Sequence, residues 1–512
     1  MRRLHAATAW LCCAMTALVA AVVLFAYGTT SFYLKGYTGE FPLSNPLLLL
    51  MAAAAFALLL VPVWRLRKGI AALGWRLPLT LSALLFAAQV FITYHAYFFS
   101  VWDARYVLEG ARAFAYDMPE AISVDYFSMY PNNLTLAGIY GGLLRLPMCL
   151  GAELGEERGL LLLILVQCAL NTACGLLLWS LTRRVAEAFS DGVTAAQAAL
   201  VALIAYAVLI GLSPWFLVPY SDSSALIFPV LLLWLYERLK GRLPSALLLG
   251  ALGALAFMVK PQASIPLIAI VLCELATLIV RRAKRSAAFL ALLAVSFVLV
   301  YAPSQWLVER RLGIALDKDG ALGFAHYLNM GFNEEHDGAF YTPDQDAVLA
   351  VPAKERTAWC LRTAWARVKE YGVPGMAEHL LRKALVNFAD GGFAWGIDFA
   401  RNDLPVKDER LTPGVRSVVY SDGTRYPALH ALEQAVWLLL LTLCPFGAFG
   451  LRRLRAEQET PVPAAMLLSV IGIIAFNMLF EAKARYVFVM VPVMIAVSAA
   501  GLCALRGRKY GR

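Results

Sequence analysis

The sequence predicts an all-α polytopic membrane protein of about 12 transmembrane helices, with juxtamembrane helices in a first large outer loop and a small outer subdomain. Three observations predict this. Of 512 residues, 60% are hydrophobic and only 16% are charged. Mean hydropathy is +0.66, whereas soluble domains carry about 25% charged residues. Leu-, Ala- and Val-rich runs recur at the length of about 20 residues that a hydrocarbon core of roughly 30 Å demands. Barrel strands would instead alternate apolar and polar positions over about 10 residues. Basic residues, finally, gather between the runs in a regular alternation.

Taken in order, the apolar runs place spans at 8–28, 46–64, 77–99, 159–182, 195–216, 222–236, 243–259, 263–280, 286–303, 431–451, 462–480 and 486–505. The first follows Arg2 and Arg3 and has the outline of a signal peptide. It is long and lacks a small-x-small cleavage site, so it reads as a retained span. The organisation is then N-terminal spans (1–99), an outer loop with juxtamembrane helices (100–158), central spans (159–303), an outer subdomain (304–430) and C-terminal spans (431–512). Residues 133–150 are apolar but broken by Gly, Arg145 and Pro147. They read as a helix on or partly in the membrane surface. Within the subdomain, 355–370 and 375–389 read as helices, and the His336-Asp337-Gly338 and Asp390-Gly391-Gly392 stretches as turns.

Charge placement orients the spans. With the N-terminus inside, the short inner segments hold Arg2, Arg3; Arg65, Arg67, Lys68, Arg76; Arg183, Arg184; Arg238, Lys240, Arg242; Arg281, Arg282, Lys284, Arg285; Arg452, Arg453, Arg455; and Arg506, Arg508, Lys509, Arg512. These are 22 of the 45 Lys and Arg. The short outer loops at 29–45, 217–221 and 260–262 hold only Lys35 and Lys260. This is the positive-inside pattern, and it puts both termini in the cytoplasm. It accounts for the net charge of +10 without nucleic acid. Seven of the nine Cys (12, 13, 168, 174, 273, 444 and 503) fall in apolar runs and read as small hydrophobes. Cys149 and Cys360 fall on the outer side, where a disulfide could join them.

Four polar groups collect on that side. Trp102-Asp103-Ala104-Arg105-Tyr106 follows the third span. Its carboxylate suits a general base acting on a hydroxyl, or a helix cap with an aromatic anchor. Tyr126 to Asn133 brings Pro131 and two Asn amides, which suit sugar hydroxyls or a turn with a cap. Tyr220-Ser221-Asp222 and Lys260-Pro261-Gln262 stand at the ends of adjacent hairpins. Lys260 can meet a lipid phosphate or snorkel, and Asp222 can cap a helix. Glu481-Ala482-Lys483-Ala484-Arg485-Tyr486 packs three charges between two spans. Such charges read as functional or as an interfacial anchor. Glu481 can neutralise only one of Lys260 and Arg485, so an anionic lipid phosphate is the expected partner of the other.

In this order the motifs resemble those of GT-C class membrane glycosyltransferases, which use polyprenyl-phosphate-linked sugars. Asp103, Arg105 and Tyr106 with Ala111-Arg112 are similar to the first outer loop of lipid A aminoarabinose transferases and protein O-mannosyltransferases. Tyr130-Pro131-Asn132-Asn133 stands where the class has a Pro-rich motif. Glu481, Arg485 and Tyr486 resemble its phosphate-binding turn, and Lys260 a recurrent basic residue. YSDSSALIFP (220–229), HYLNMGFNEEHDGAFYTPDQD (326–346) and FADGGFAW (388–395) also resemble segments of a poorly described group of bacterial membrane proteins. The chain departs from the class in placing two spans before the acidic loop's span and in having one Pro where a second is expected.

The resemblance implies inverting transfer of a sugar in the cell envelope. The donor would be a polyprenyl-phosphate sugar, and the acceptor a glycan, lipid or protein. Asp103 would be the base. Lys260 and Arg485 would hold phosphate, while Arg105, Tyr106, Asp125, Tyr126, Tyr130, Asn132, Asn133, Asp222, Glu481, Lys483 and Tyr486 would complete the substrate site. Some members of the class use a divalent metal, but no His/Asp pair here has ligand spacing. The alternatives are a multi-span transporter, a cell-wall polysaccharide polymerase or ligase, and a non-enzymatic scaffold. A transporter would place polar residues near the bilayer midplane, whereas here they gather at one face.

Overall fold

The computed structural model describes residues 1–28, 46–399, 409–452 and 461–506. The expected outer loop at 29–45 with Lys35, and Arg453, Arg455, Arg508, Lys509 and Arg512, lie outside the described residues. No β-strand occurs among the described residues, and the fold is all-α. Among the described residues, nine helices are long and apolar enough to cross a membrane. Leu243–Val259 and Val491–Arg506 are shorter apolar helices, and Ile227–Leu239 fills the remaining expected position. Every span read from the sequence thus coincides with a helix.

The helix ends sort into two groups, as the alternation of charge requires. At one end His5 Nε2 meets the Leu451 carbonyl at 2.6 Å, and Arg285 Nη2 donates to the Gly241 carbonyl at 3.3 Å. Arg506 lies 4.1 Å from the Trp64 ring centroid, and Arg184 stands 3.9 Å from Glu237. At the opposite end Tyr27 donates to the Ala389 carbonyl at 3.4 Å, beside the turn that leads to Asp398. We call these the basic end and the site end.

Three helices that begin at the site end do so irregularly. Ser221–Ser224 is a single turn separated from Ile227–Leu239. A 3-10 turn, Pro261–Ser264, precedes Ile265–Arg281. Arg485–Phe488 precedes Val491–Arg506. Irregular backbone at such depth is tolerated where protein buries it or where it lines a polar cavity. Here it turns Asp222, Lys260 and Arg485 toward one another.

The expected surface helix at 133–150 is the Asn132–Met148 helix. It runs parallel to Asp103–Tyr116, and Gly141 allows the close approach: a Cβ there would fall 2.6 Å from Phe114. Gly138 makes room for the Lys284–Leu312 helix, where a Cβ would fall 2.6 Å from Val308. Its Leu134, Leu136 and Leu144 are buried in the main core. The parallel course sets the N-terminal turns of both helices side by side.

Beyond the Lys284–Leu312 helix, Ala353–Phe388 holds both stretches expected to be helical. It is broken at Gly372, whose φ of 57° needs a residue without Cβ. The Asp390-Gly391-Gly392 turn is a buried tight turn. Phe393 and Ala394 take φ of 53° and 65°. Asp390 accepts from the Gly392 and Ala394 amides at 2.8 and 2.6 Å, which holds that conformation in place. Cys149 and Cys360 are not joined: Cys149 is exposed and Cys360 is buried against Leu322, Ala325 and Val348.

Glycines bring Tyr426–Gly450 close to Val491–Arg506. A Cβ on Gly501 would overlap the Gly447 carbonyl, and one on Gly450 that of Gly501. Small residues at such interfaces let backbones approach in lipid. Gly501→Ala is expected to destabilise the protein by about 1–3 kcal/mol through overpacking, seen as a lowered thermal midpoint in detergent. An unchanged midpoint would show that the two helices can part at no cost.

Candidate functional site

The site end carries a cluster of buried charges drawn from four parts of the chain. Lys260 Nζ donates to Asp222 Oδ1 at 2.7 Å, and both are buried. Arg485 Nη1 donates to Asp398 Oδ2 at 3.2 Å, and Lys483 Nζ lies 2.7 Å from Asp398 Oδ1. Arg485 Nε and Asp222 Oδ2 face each other at 3.9 Å. Neither atom has a hydrogen-bond partner among the described residues. Aromatic rings wall the cations. The Arg485 guanidinium is 4.7 Å from the Trp102 centroid, and Lys260 Nζ is 4.9 Å from that of Tyr486.

Glu481 is buried on the same turn as Lys483 and Arg485. Tyr486 donates to its Oε1 at 2.9 Å. Burial raises its carboxyl above the usual range, and the Tyr486 hydrogen bond and Lys483 oppose the rise. Its charge is felt by Tyr130, Lys260, Tyr327 and Lys383, which come from separate segments.

Asp103 opens the Asp103–Tyr116 helix beside this cluster and is half-buried. Its Oδ2 accepts from the Tyr220 hydroxyl at 3.3 Å, and the Tyr126 hydroxyl also bonds it. Asn133 Nδ2 donates to Tyr126 at 2.6 Å and to Tyr220 at 3.3 Å, so the amide fixes both phenols that hold the acid. Tyr106 stacks on Tyr126 with centroids 4.2 Å apart. Tyr130 donates to Gln345 at 2.9 Å.

Asp103, Tyr126, Tyr130, Asn133, Asp222, Lys260, Glu481, Lys483, Arg485 and Tyr486 are therefore brought together. Tyr106 and Asn132 stand at the rim; Asn132 is exposed and donates to Asn133 Oδ1 at 3.1 Å. Arg105 and Asp125 are not brought in. Arg105 is exposed and pairs with Glu109 at 2.7 Å. Asp125 is exposed on the Val124–Met129 helix, where its neighbour Tyr126 takes the inner face. Successive helical residues point about 100° apart, so both cannot face inward.

One expectation is corrected. Lys260 and Arg485 do not lack carboxylates, because Asp222 and Asp398 supply them. Asp398, Tyr220, Trp102, Tyr327 and Lys383 were not assigned from the sequence. Asp398 lies three residues past the FADGGFAW stretch and Tyr327 lies inside the 326–346 stretch, so the motifs bracketed them without showing what they meet. Among the described residues no three His, Cys, Asp or Glu side chains form a group able to hold a metal ion.

Apart from this cluster, a cleft of about 200 Å³ is lined by Phe98, Leu108, Leu160 and Pro219 with Arg105, Glu109 and Glu156. Ala104 lines it too, one residue beyond Asp103.

Comparison with curated proteins finds no match. A family described as "Conserved hypothetical integral membrane protein" matches residues 4–502. That match takes in every helix of the bundle and the whole charged cluster, and the chain belongs to this family of integral membrane proteins.

Proposed function

We propose that the protein is an inverting membrane glycosyltransferase that moves a sugar from a polyprenyl-phosphate donor to an acceptor hydroxyl at the site end. The observation that carries this reading is convergence. Asp103, Lys260 and Arg485 are distant in the chain, yet Lys260 and Arg485 meet in one buried charged cluster at the end of an apolar bundle, with half-buried Asp103 beside it. Charges near hydrocarbon are costly and mark function.

In this reading the acceptor oxygen attacks the anomeric carbon as the carbon–oxygen bond to phosphate breaks. Asp103 takes the acceptor proton, with Tyr220 and Tyr126 fixing its carboxylate. Lys260 and Arg485 receive the departing phosphate, whose charge replaces that of Asp222 between them. Cations aimed at a developing anion lower the barrier without rearranging. Glycan, lipid and protein hydroxyls all suit this chemistry.

Mass spectrometry of lipid co-purified with the protein tests the reading. A polyprenyl phosphate or its sugar ester, retained by the parent and lost from Arg485→Ala, is the expected result. Bulk phospholipid alone, with no retention of added polyprenyl phosphate, would remove the donor and the reading with it.

The proposal also puts the site end outside. In a Cys149→Ser background, Thr357→Cys is expected to react with impermeant maleimide on intact cells and Lys284→Cys only after lysis. Both positions are exposed, and Cys149 is itself exposed and must be removed first. Reversed labelling would put the site in the cytoplasm.

A further inference from the structure

The three cations of the cluster, Lys260, Lys483 and Arg485, have carboxylates at ion-pair distance. Lys383 is a further buried cation, and its surroundings differ. It lies near the end of the Ala353–Phe388 helix with no exposed surface. Its Nζ donates to the Gly331 carbonyl at 2.6 Å and stands 5.6 Å from the Phe332 ring centroid. An ammonium has three donors, and the other two meet no protein acceptor among the described residues.

The chain leads this ammonium to the cluster. Asn387, one turn on from Lys383, accepts from the Lys483 amide at 3.0 Å. The Ala482 amide donates to the Gly338 carbonyl at 2.8 Å. A Cβ on Gly338 would lie 3.2 Å from Lys383 Cε. Gly338 and Asn387 thus link Lys383 to the turn that carries Glu481, Lys483 and Arg485. Glu481 is the charge it feels there. His379, one turn earlier, shares the Gly331 carbonyl at 3.0 Å. Burial pushes that imidazole down to about 4, so it stays neutral. A buried ammonium left without a counter-ion is costly, and an anionic ligand would complete it.

We propose that Lys383 binds a phosphate oxygen of the lipid-linked donor and takes up a proton as it does so. This rests on the donor reading above. Burial draws the Lys383 ammonium down to about 7, with Glu481 opposing the fall. In the empty site above that pH the amine is mostly neutral, and an adjacent phosphate favours its charged form. Affinity is therefore greatest at and below about pH 7 and falls as pH rises, by up to about tenfold per unit. A phosphate monoester such as farnesyl phosphate has its second pKa near 6, so it is mostly dianionic before this window opens. Burial also lowers the Lys260 and Lys483 amines, and it raises Glu481. Glu334 and the buried Asp337 are further carboxylates on the turn that packs against Lys383.

The test uses the full chain in phosphatidylcholine nanodiscs, with farnesyl phosphate and inorganic phosphate as probes between about pH 7 and 9. Calorimetry in two buffers of different ionisation heat reads the proton balance. The expected result is farnesyl phosphate binding with uptake of close to one proton near pH 8, and affinity about tenfold or more weaker at pH 9. Lys383→Met should weaken binding at pH 7 about tenfold or more and flatten the pH profile. If that variant does not fold, proton uptake by the parent decides. Farnesyl phosphate binding without proton uptake, or an unchanged profile in Lys383→Met, would overturn the role of Lys383 and leave the donor reading standing. A response to inorganic phosphate alone would overturn a lipid ligand, and binding of neither probe by the parent would overturn both proposals.

Discussion

Asp103→Asn is expected to fold, to retain polyprenyl phosphate and to lose transfer by roughly 10²-fold or more, the scale of general base effects. The amide is nearly isosteric, and its carbonyl can still accept from Tyr220 and Tyr126. Asp103 is only half-buried, so exchanging charge for dipole costs little stability. A lowered turnover with unchanged donor affinity separates chemistry from binding. Turnover near that of the parent would exclude Asp103 as the base. Glu481 would then be the carboxylate to examine, since its charge also reaches Tyr130 and Tyr327. Asp125 faces away and is not a candidate.

Arg485→Ala is expected to weaken donor binding by roughly 2–5 kcal/mol, the cost of removing one member of a buried, hydrogen-bonded charge pair. Part of that cost falls on the empty protein. Asp398 would keep Lys483 and Asp222 would keep Lys260, but the guanidinium now between Trp102, Asp222 and Asp398 would be gone. Thermal unfolding must therefore accompany the binding assay. Arg485→Lys keeps charge and loses the planar fork, so an intermediate loss is expected. Asp222→Asn should act in the opposite direction. It removes the resident anion from between Lys260 and Arg485, and polyprenyl phosphate is expected to bind more tightly. Weaker binding in Asp222→Asn, or parental binding in Arg485→Ala, would show that phosphate does not occupy this position.

The bundle was legible in the sequence because hydrocarbon dictates run length and charge placement marks the ends. Each expected span became a helix, and even the break near Gly372 lay between two stretches read as helices. Half of the site's logic was also legible, in the short motifs around Asp103, Lys260 and Arg485. What the sequence could not supply was pairing. Asp398 and Lys383 lie in long segments without membrane periodicity, and nothing local to them indicates that they meet residues near 480. The shortage of carboxylates inferred for Lys260 and Arg485 failed for this reason: ion pairs are contacts between distant residues, whereas charge alone is local. Asp125 and Arg105 failed differently. Each belongs to a motif of the right composition, but the helical turn directs adjacent side chains to different faces.

The Asp222 carboxylate held between Lys260 and Arg485 bears on which anions the protein can admit. A site whose cations stood bare would collect whatever phosphate or nucleotide the surrounding water contained. Here a solute must first evict a tethered acid that never diffuses away, and a small anion brings little with which to do so. A prenyl chain contributes about 0.8 kcal/mol for each methylene it buries, and confinement to the bilayer keeps its head group near the bundle. In the proposed reading the resident acid would act as a threshold that membrane-borne phosphates cross and water-borne ones do not.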